Sequence, residues 1–238
     1  MIKKSIELSG RTLTLETGRL AKQAGGSVLV TYGETVVLVA STASQGIDEY
    51  RGFFPLTVDY REKFYASGKI PGGFFRREAR PSEQEIIGAR LTDRPLRPLF
   101  PDGFYNETHI FINVLSFDGE NNGNILGTLG ASASLAISDI PWDGPVASIT
   151  VGRISGELII NPTNTQLEES DLEIIISGTK ESVVMVEGEA KFISEEDFLT
   201  IIEYGHEAIK GLVQLQEELV KECGKTKREV VAPEVNDD

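Results

Sequence analysis

Ile70-Pro71-Gly72-Gly73-Phe74-Phe75-Arg76-Arg77-Glu78, followed by Ala89-Arg90-Leu91-Thr92-Asp93-Arg94-Pro95-Leu96-Arg97-Pro98, holds the densest chemical information in the chain. The second run belongs to a helix. Ser82 and Glu85 stand at capping-box spacing just after Pro81, so a helix is expected to start near Ser82 and to end at Pro95 and Pro98. On it Arg90, Arg94 and Arg97 fall at i, i+4 and i+7, which places three guanidinium groups on one face. Planar guanidinium donors suit phosphate oxygens. Asp93, Glu83 and Glu85 offer the alternative of ordinary surface ion pairs. The first run sits at the end of a loop, Glu62 to Gly73, because Gly68, Pro71, Gly72 and Gly73 disfavour regular structure. Phe74 and Phe75 beside Arg76 and Arg77 combine ring faces that stack on bases with cations that neutralise a backbone. The competing reading is that the rings plug a core. Adjacent side chains on extended backbone point opposite ways, so at most one of the two rings easily faces RNA.

Outward from this centre the apolar pattern alternates between strand and helix. Residues 5–17, 27–42, Phe53 to Tyr60 and Thr108 to Phe117 read as strands, with Gly33-Glu34 at a turn. Residues 124–138 combine Ile125, Leu126, Leu129, Leu135 and Ile137 with many Gly, Ala and Ser, which suits a helix packed closely on a sheet. In that helix Gly130, Ser132 and Ser134 are expected to serve close packing, and Trp142 to pack at a turn. Further strands are expected near 146–153, 157–160, 172–177 and 182–187. A long helix then runs from a cap at Ser194 to about Glu222. The last sixteen residues, Cys223 to Asp238, are mostly polar or charged and read as a linker or frayed tail. The result is an α+β chain, a mixed β-sheet packed with helices.

A chain of 238 residues with 40% apolar composition can bury a substantial core. It contains no run of roughly 18 apolar residues. Its start, Met1-Ile2-Lys3-Lys4-Ser5-Ile6-Glu7, does not have the form of a signal peptide, and a cytoplasmic location is expected. Cys223 is the only cysteine, which excludes an internal disulfide. The formal net charge of −14 is unevenly distributed. Residues 1–50 balance, residues 51–97 carry ten basic against six acidic groups, and residues 98–238 carry eight against 26. A basic island on an acidic body favours RNA at one place and discourages coating elsewhere. Dispersal of these cations over a solvated surface is the alternative. His109 and His206 lack partners at metal-ligand spacing and read as structural.

Several blocks resemble, in order, the first half of the polynucleotide phosphorylase family. They are Arg51 to Tyr60, Ile70 to Glu78, Arg80-Pro81-Ser82-Glu83, Arg94 to Pro101, Gly130-Ala131-Ser132-Ala133, Asn161-Pro162-Thr163 and Met185 to Ala190. The resemblance implies an RNase PH-like domain over residues 1–222, with lobes of about 1–141 and 142–222, and a linker at 223–238 leading to a helical domain. It implies 3′ to 5′ degradation of single-stranded RNA with inorganic phosphate as co-substrate, release of nucleoside diphosphates, and the reverse polymerisation. It further implies a homotrimeric ring around a channel, membership of an RNA-degradation complex, and no membrane association. By the same resemblance Phe74, Phe75, Arg76 and Arg77 line that channel, and Arg90, Arg94 and Arg97 form its basic helix. The catalytic half of the family carries a Ser-rich run at a helix start and a DxDxK-like pattern. This chain instead has Asn121-Asn122-Gly123-Asn124-Ile125-Leu126, and Asp171-Leu172-Glu173-Ile174-Ile175 with Ile175 at the lysine position. The hydroxyls and the amine are missing, so no catalytic residue and no metal ligand is expected here, and Mg²⁺ is expected to bind outside this chain. The alternative is a stand-alone noncatalytic RNase PH-like ring subunit of an exosome-type assembly.

Overall fold

The computed structural model describes residues 1–46 and 52–230, apart from the side chain of Phe75. Arg51, which opens the first family-like block, and residues 231–238 of the expected linker lie outside them.

Residues 5–17 resolve into two strands, β1 (Ile2–Leu8) and β2 (Arg11–Thr17), joined at Ser9-Gly10, both with positive φ. Next come β3 (Gly26–Tyr32), β4 (Thr35–Ala43), β5 (Leu56–Arg61), helix α1 (Glu83–Leu96), β6 (Thr108–Ser116) and helix α2 (Gly123–Ile137). The second half of the chain supplies β7 (Ala147–Ile154), β8 (Glu157–Ile160), α3 (Asn164–Glu169), β9 (Leu172–Gly178), β10 (Val183–Ala190) and α4 (Glu195–Cys223). One sheet has the order β1-β2-β3-β4-β6-β5 and the other β10-β9-β7-β8. Among the described strands only the β5–β6 pairing is parallel. Helix α3, unexpected from periodicity, is announced by a Thr163–Gln166 capping box.

Register follows from period-2 burial. Leu13 and Leu15, Val28 and Val30, Val37 and Val39, and Ile110, Ile112 and Val114 all turn to one face of the larger sheet, each at most 1% exposed. Helix α2 packs on that face through β3, β4 and β6 and reaches the smaller sheet through β7, with α1 and α4 against its flanks. Every residue of it except Asn124 is buried. That enclosure explains its Gly, Ala and Ser content: a Cβ at Gly130 would lie 2.5 Å from Val39 Cγ2 and 2.8 Å from Val30 Cγ2. Ser132 Oγ donates to Gln216 Oε1 on α4 at 2.6 Å and accepts from Val146 N at 3.0 Å, while Gln216 Nε2 donates to Val146 O at 2.8 Å. Trp142 is buried, its Nε1 donating to Leu96 O at 3.1 Å.

The expected frayed tail is corrected as far as residue 230. Lys225 N donates to Ile137 O and Arg228 N to Asp139 O, at 3.0 and 2.9 Å. Lys227 Nζ reaches the carbonyls of Leu135, Ala136 and Ser138 at 2.8, 3.1 and 3.0 Å, capping the C-terminal end of α2 with a cation. Arg228 pairs with Asp139 at 2.8 Å. The segment has little apolar surface to bury, yet polar bonds to the end of a buried helix hold it. Burial pushes the Lys227 amine down to about 8, partly offset by Asp139.

Two outcomes follow. Gly130→Ala forces a methyl group into the valine layer and is expected to destabilise the fold by about 1–3 kcal/mol in a denaturant titration. Hydrogen exchange should show the Lys225 and Arg228 amides protected, and Lys227→Met should reduce that protection.

Candidate nucleic-acid interface

The loop between β5 and α1 is anchored at its base and exposed at its tip. Phe117 N donates to Ala66 O at 2.9 Å, tying a short turn at Phe64–Ser67 to the end of β6, and Gly68 closes that turn with φ of 67°. Glu78 accepts the Phe64 amide at 2.8 Å. Glu85 is buried, and its two carboxylate oxygens accept the amides of Glu62 at 2.9 Å and Ser82 at 2.7 Å. It thereby completes the capping box of α1 and holds both ends of the loop. At the tip Phe74 is 97% exposed, and Arg76 and Arg77 are exposed with no ion pair among the described residues. Beneath lies a groove of about 560 Å³ bordered by Lys63, Lys69, Arg77 and Arg80. Glu62, Glu78 and Glu85 also border it, but Glu78 and Glu85 already accept backbone amides. The groove therefore presents cations and an aromatic ring. Lys63, Lys69 and Arg80 were not singled out from sequence, although they belong to the basic stretch whose charge was counted there.

The three arginines of α1 have different surroundings. Arg97 is bidentate on Asp93, at 2.9 and 2.7 Å, and donates to the carbonyls of Phe54 at 3.0 Å and Leu56 at 3.2 Å. Its guanidinium also lies 5.9 Å from the Phe54 ring centre, so it clamps the entry to β5. Arg94 pairs with Glu187 on β10, linking α1 to the smaller sheet. Arg90 is exposed with no ion pair among the described residues. The helix passes through Pro95 and tightens into a short turn at Arg97–Leu99, so it ends one turn later than the first proline suggests.

At the start of α2 the Asn-rich run forms a built turn. Asp118 accepts the amides of Glu120 at 2.9 Å and Asn121 at 2.8 Å, the Asn121 side chain at 2.5 Å and the Glu34 amide at 3.1 Å. Burial opposes its ionisation, but the bonds from Asn121, Glu120 and Thr35 outweigh this and hold its carboxyl down at about 2. Asn122 Oδ1 then caps α2 by accepting the Asn124 amide at 2.8 Å. Ile125 and Leu126 point into the core. Asp171 is engaged by Arg153 at 2.7 Å. Glu173 faces Glu189 across the β9–β10 pair, and its pKa is raised by burial and by that neighbour. Among the described residues no group of three His, Cys, Asp or Glu side chains is placed to hold a metal ion, and this donor set does not fit one. His109 meets Asp59 at 2.8 Å and His206 meets Thr179 O at 3.0 Å.

Comparison with known proteins agrees with this geometry. Domain 1 of the 3′ exoribonuclease family matches residues 9–141 and domain 2 matches residues 144–208. The chain belongs to the 3′ exoribonuclease family. Its RNase PH-like α+β fold also resembles a solved structure of rice (Oryza sativa) Rrp46. The TM-score is 0.69 at 17% identity, covering 87% of this chain and 93% of that one, a likeness of fold alone. Among relatives of this family, the polyribonucleotide nucleotidyltransferase of Geotalea uraniireducens is 52% identical over 99% of this chain. That of Thermomicrobium roseum is 54% identical over 98%. The chain spans about a third of the length of these relatives, 34% and 30%. No helix among the described residues is long and apolar enough to cross a membrane.

The different roles of the α1 arginines can be measured. Arg97→Ala leaves two carbonyls and Asp93 without their donor and is expected to lower stability by about 1–3 kcal/mol. Arg90→Ala should leave the unfolding midpoint unchanged, as for most substitutions at exposed positions.

Proposed function

We propose that this chain serves as the first RNase PH-like half of a polyribonucleotide nucleotidyltransferase. In the whole protein an inorganic phosphate attacks the terminal phosphodiester at the RNA 3′ end, and a nucleoside diphosphate leaves; the reverse reaction extends RNA. This half contributes ring scaffold, in a homotrimer, and the surface that guides single-stranded RNA towards chemistry performed outside this chain, where Mg²⁺ is held. The setting is messenger RNA degradation in the cytoplasm.

One observation carries the reading: an exposed aromatic ring, Phe74, stands above a cation-bordered groove beside Arg76 and Arg77, which have no ion pair among the described residues. Stacking tolerates any base and the arginines neutralise any backbone, which is what a processive, sequence-indifferent path requires. Identity above half to nucleotidyltransferases over nearly the whole chain supports it. The acidic remainder of the chain, which repels polyanions, confines the strand to the groove.

The test is RNA affinity across a salt series. Arg76→Ala with Arg77→Ala should weaken single-stranded RNA binding and reduce the salt slope by about 1–1.5 units, because roughly 0.7 counterions are released per phosphate neutralised. Phe74→Ala should weaken binding with little change in slope, since stacking releases few ions. An unchanged slope in the folded double arginine variant would overturn the assignment.

A further inference from the structure

The groove under Phe74 does not end at α1. It continues past Glu62, Ser82, Gln84 and Glu85, which border both spaces, into a cleft of about 410 Å³ between the first turns of α1 and α2. This cleft lies where the resemblance aligns the Asn-rich run with the Ser-rich run of the catalytic half. Its chemistry is the reverse of the groove's. None of its lining residues is Lys, Arg or His, and Glu62 stands in its wall with one oxygen unengaged, so a phosphate or other anion meets no cationic side chain there.

What lines it instead is a set of amides between apolar walls. Asn122 has its oxygen engaged in capping α2, leaving its NH₂ as a donor. Asn164 has its NH₂ engaged on Gly119 O at 2.7 Å, leaving its oxygen as an acceptor. Among the described residues the side-chain amides of Gln84 and Asn124 make no hydrogen bond, and both line the cleft. One oxygen of Glu62 accepts the Tyr60 hydroxyl at 3.0 Å, which leaves the other available. Ile87 and Phe117 add apolar surface. Unfilled donors and acceptors held at fixed places beside apolar walls, in a space of about 300–1,000 Å³, describe a site for a small neutral heterocycle. A nucleobase with its ribose presents the matching edges and hydroxyls.

We infer that the cleft between the first turns of α1 and α2 binds one nucleoside unit of a single-stranded RNA lying in the Phe74–Arg77 groove, through base and ribose and not through phosphate. The inference rests on the RNA-guiding role proposed above. The strand's phosphates stay outside, at Arg77 and Arg80, while one base turns into the cleft. The site holds RNA and does no chemistry on it, and its amides provide the base-edge contacts that the stacking ring cannot.

The experiment uses the full 238-residue chain with ¹⁵N-labelled side-chain amides. It is titrated separately with adenosine, cytidine, guanosine, uridine, inorganic phosphate and an oligoadenylate. At least one nucleoside is expected to shift the Gln84, Asn122, Asn124 and Asn164 side-chain resonances, while phosphate leaves them in place. Gln84→Ala with Asn124→Ala should abolish the nucleoside shifts and weaken oligoadenylate binding by about three- to tenfold with an unchanged salt slope. Gln84→Ala alone, at an exposed position, gives the same reading should the double variant fail to fold. If the oligoadenylate binds through Arg76 and Arg77 but no nucleoside moves the cleft amides, this inference falls and the proposed function stands. Phosphate shifting those amides in place of nucleosides also overturns it. If the oligoadenylate binds with no dependence on Arg76 and Arg77, the RNA-guiding role falls, and the inference with it.

Discussion

The structure depends on enclosing α2 on every side. A helix normally keeps one wet stripe, but this one meets a sheet on two sides and helices on its flanks. Space, more than hydrophobicity, then limits its composition. Gly130 lies against two valines, Ser134 O lies where a Cβ on Gly26 would have to sit, and buried hydroxyls must find partners inside the protein. Ser132, Gln216 and Val146 form one such closed set, which fixes α4 and the start of β7 relative to α2. A larger residue in this helix would separate the two sheets that make up the fold.

The same helix sets the positions of the surface features, because its two ends emerge at the only places where its backbone groups need partners. At the N-terminal end Asp118 gathers the β3–β4 turn and the Asn-rich loop into one knot and presents Asn122 as the cap. At the C-terminal end the carbonyls left without helix partners attract Lys227 and hold the segment after α4 against the body. Polar satisfaction at helix ends thus determines both where the cleft opens and which way the chain leaves.

Charge divides the surface in a comparable way. The arginines of the basic stretch are not equivalent: Arg97 and Arg94 have carboxylate partners and tie elements together, while Arg76, Arg77 and Arg90 have no ion pair among the described residues. Carboxylates in the same region are also mostly occupied, Glu85 and Glu78 by backbone amides. Because these anions are satisfied locally, the groove keeps a basic character despite the net charge of −14 on the chain. Proximity in sequence therefore does not establish a shared role for cations.

The sequence by itself determined the family and every element except α3. Period-2 valines, the Ser82–Glu85 box and the Gly-Ala-Ser helix each encode local structure through nearest-neighbour physics, and the ordered blocks from Phe53 to Ala190 identify the 3′ exoribonuclease domains. It also placed apolar Ile125, Leu126 and Ile175 where the resemblance expects hydroxyls and an amine. Tertiary structure alone decided which arginines tie elements together, because Phe54, Leu56 and Glu187 are distant in sequence from α1. It decided that polar residues 224–230 are held, since their partners are carbonyls of a helix some ninety residues away, which composition does not register. And it brought Gln84, Asn124 and Asn164 to one cleft: three amides far apart in sequence meet only when two helix starts and a loop converge.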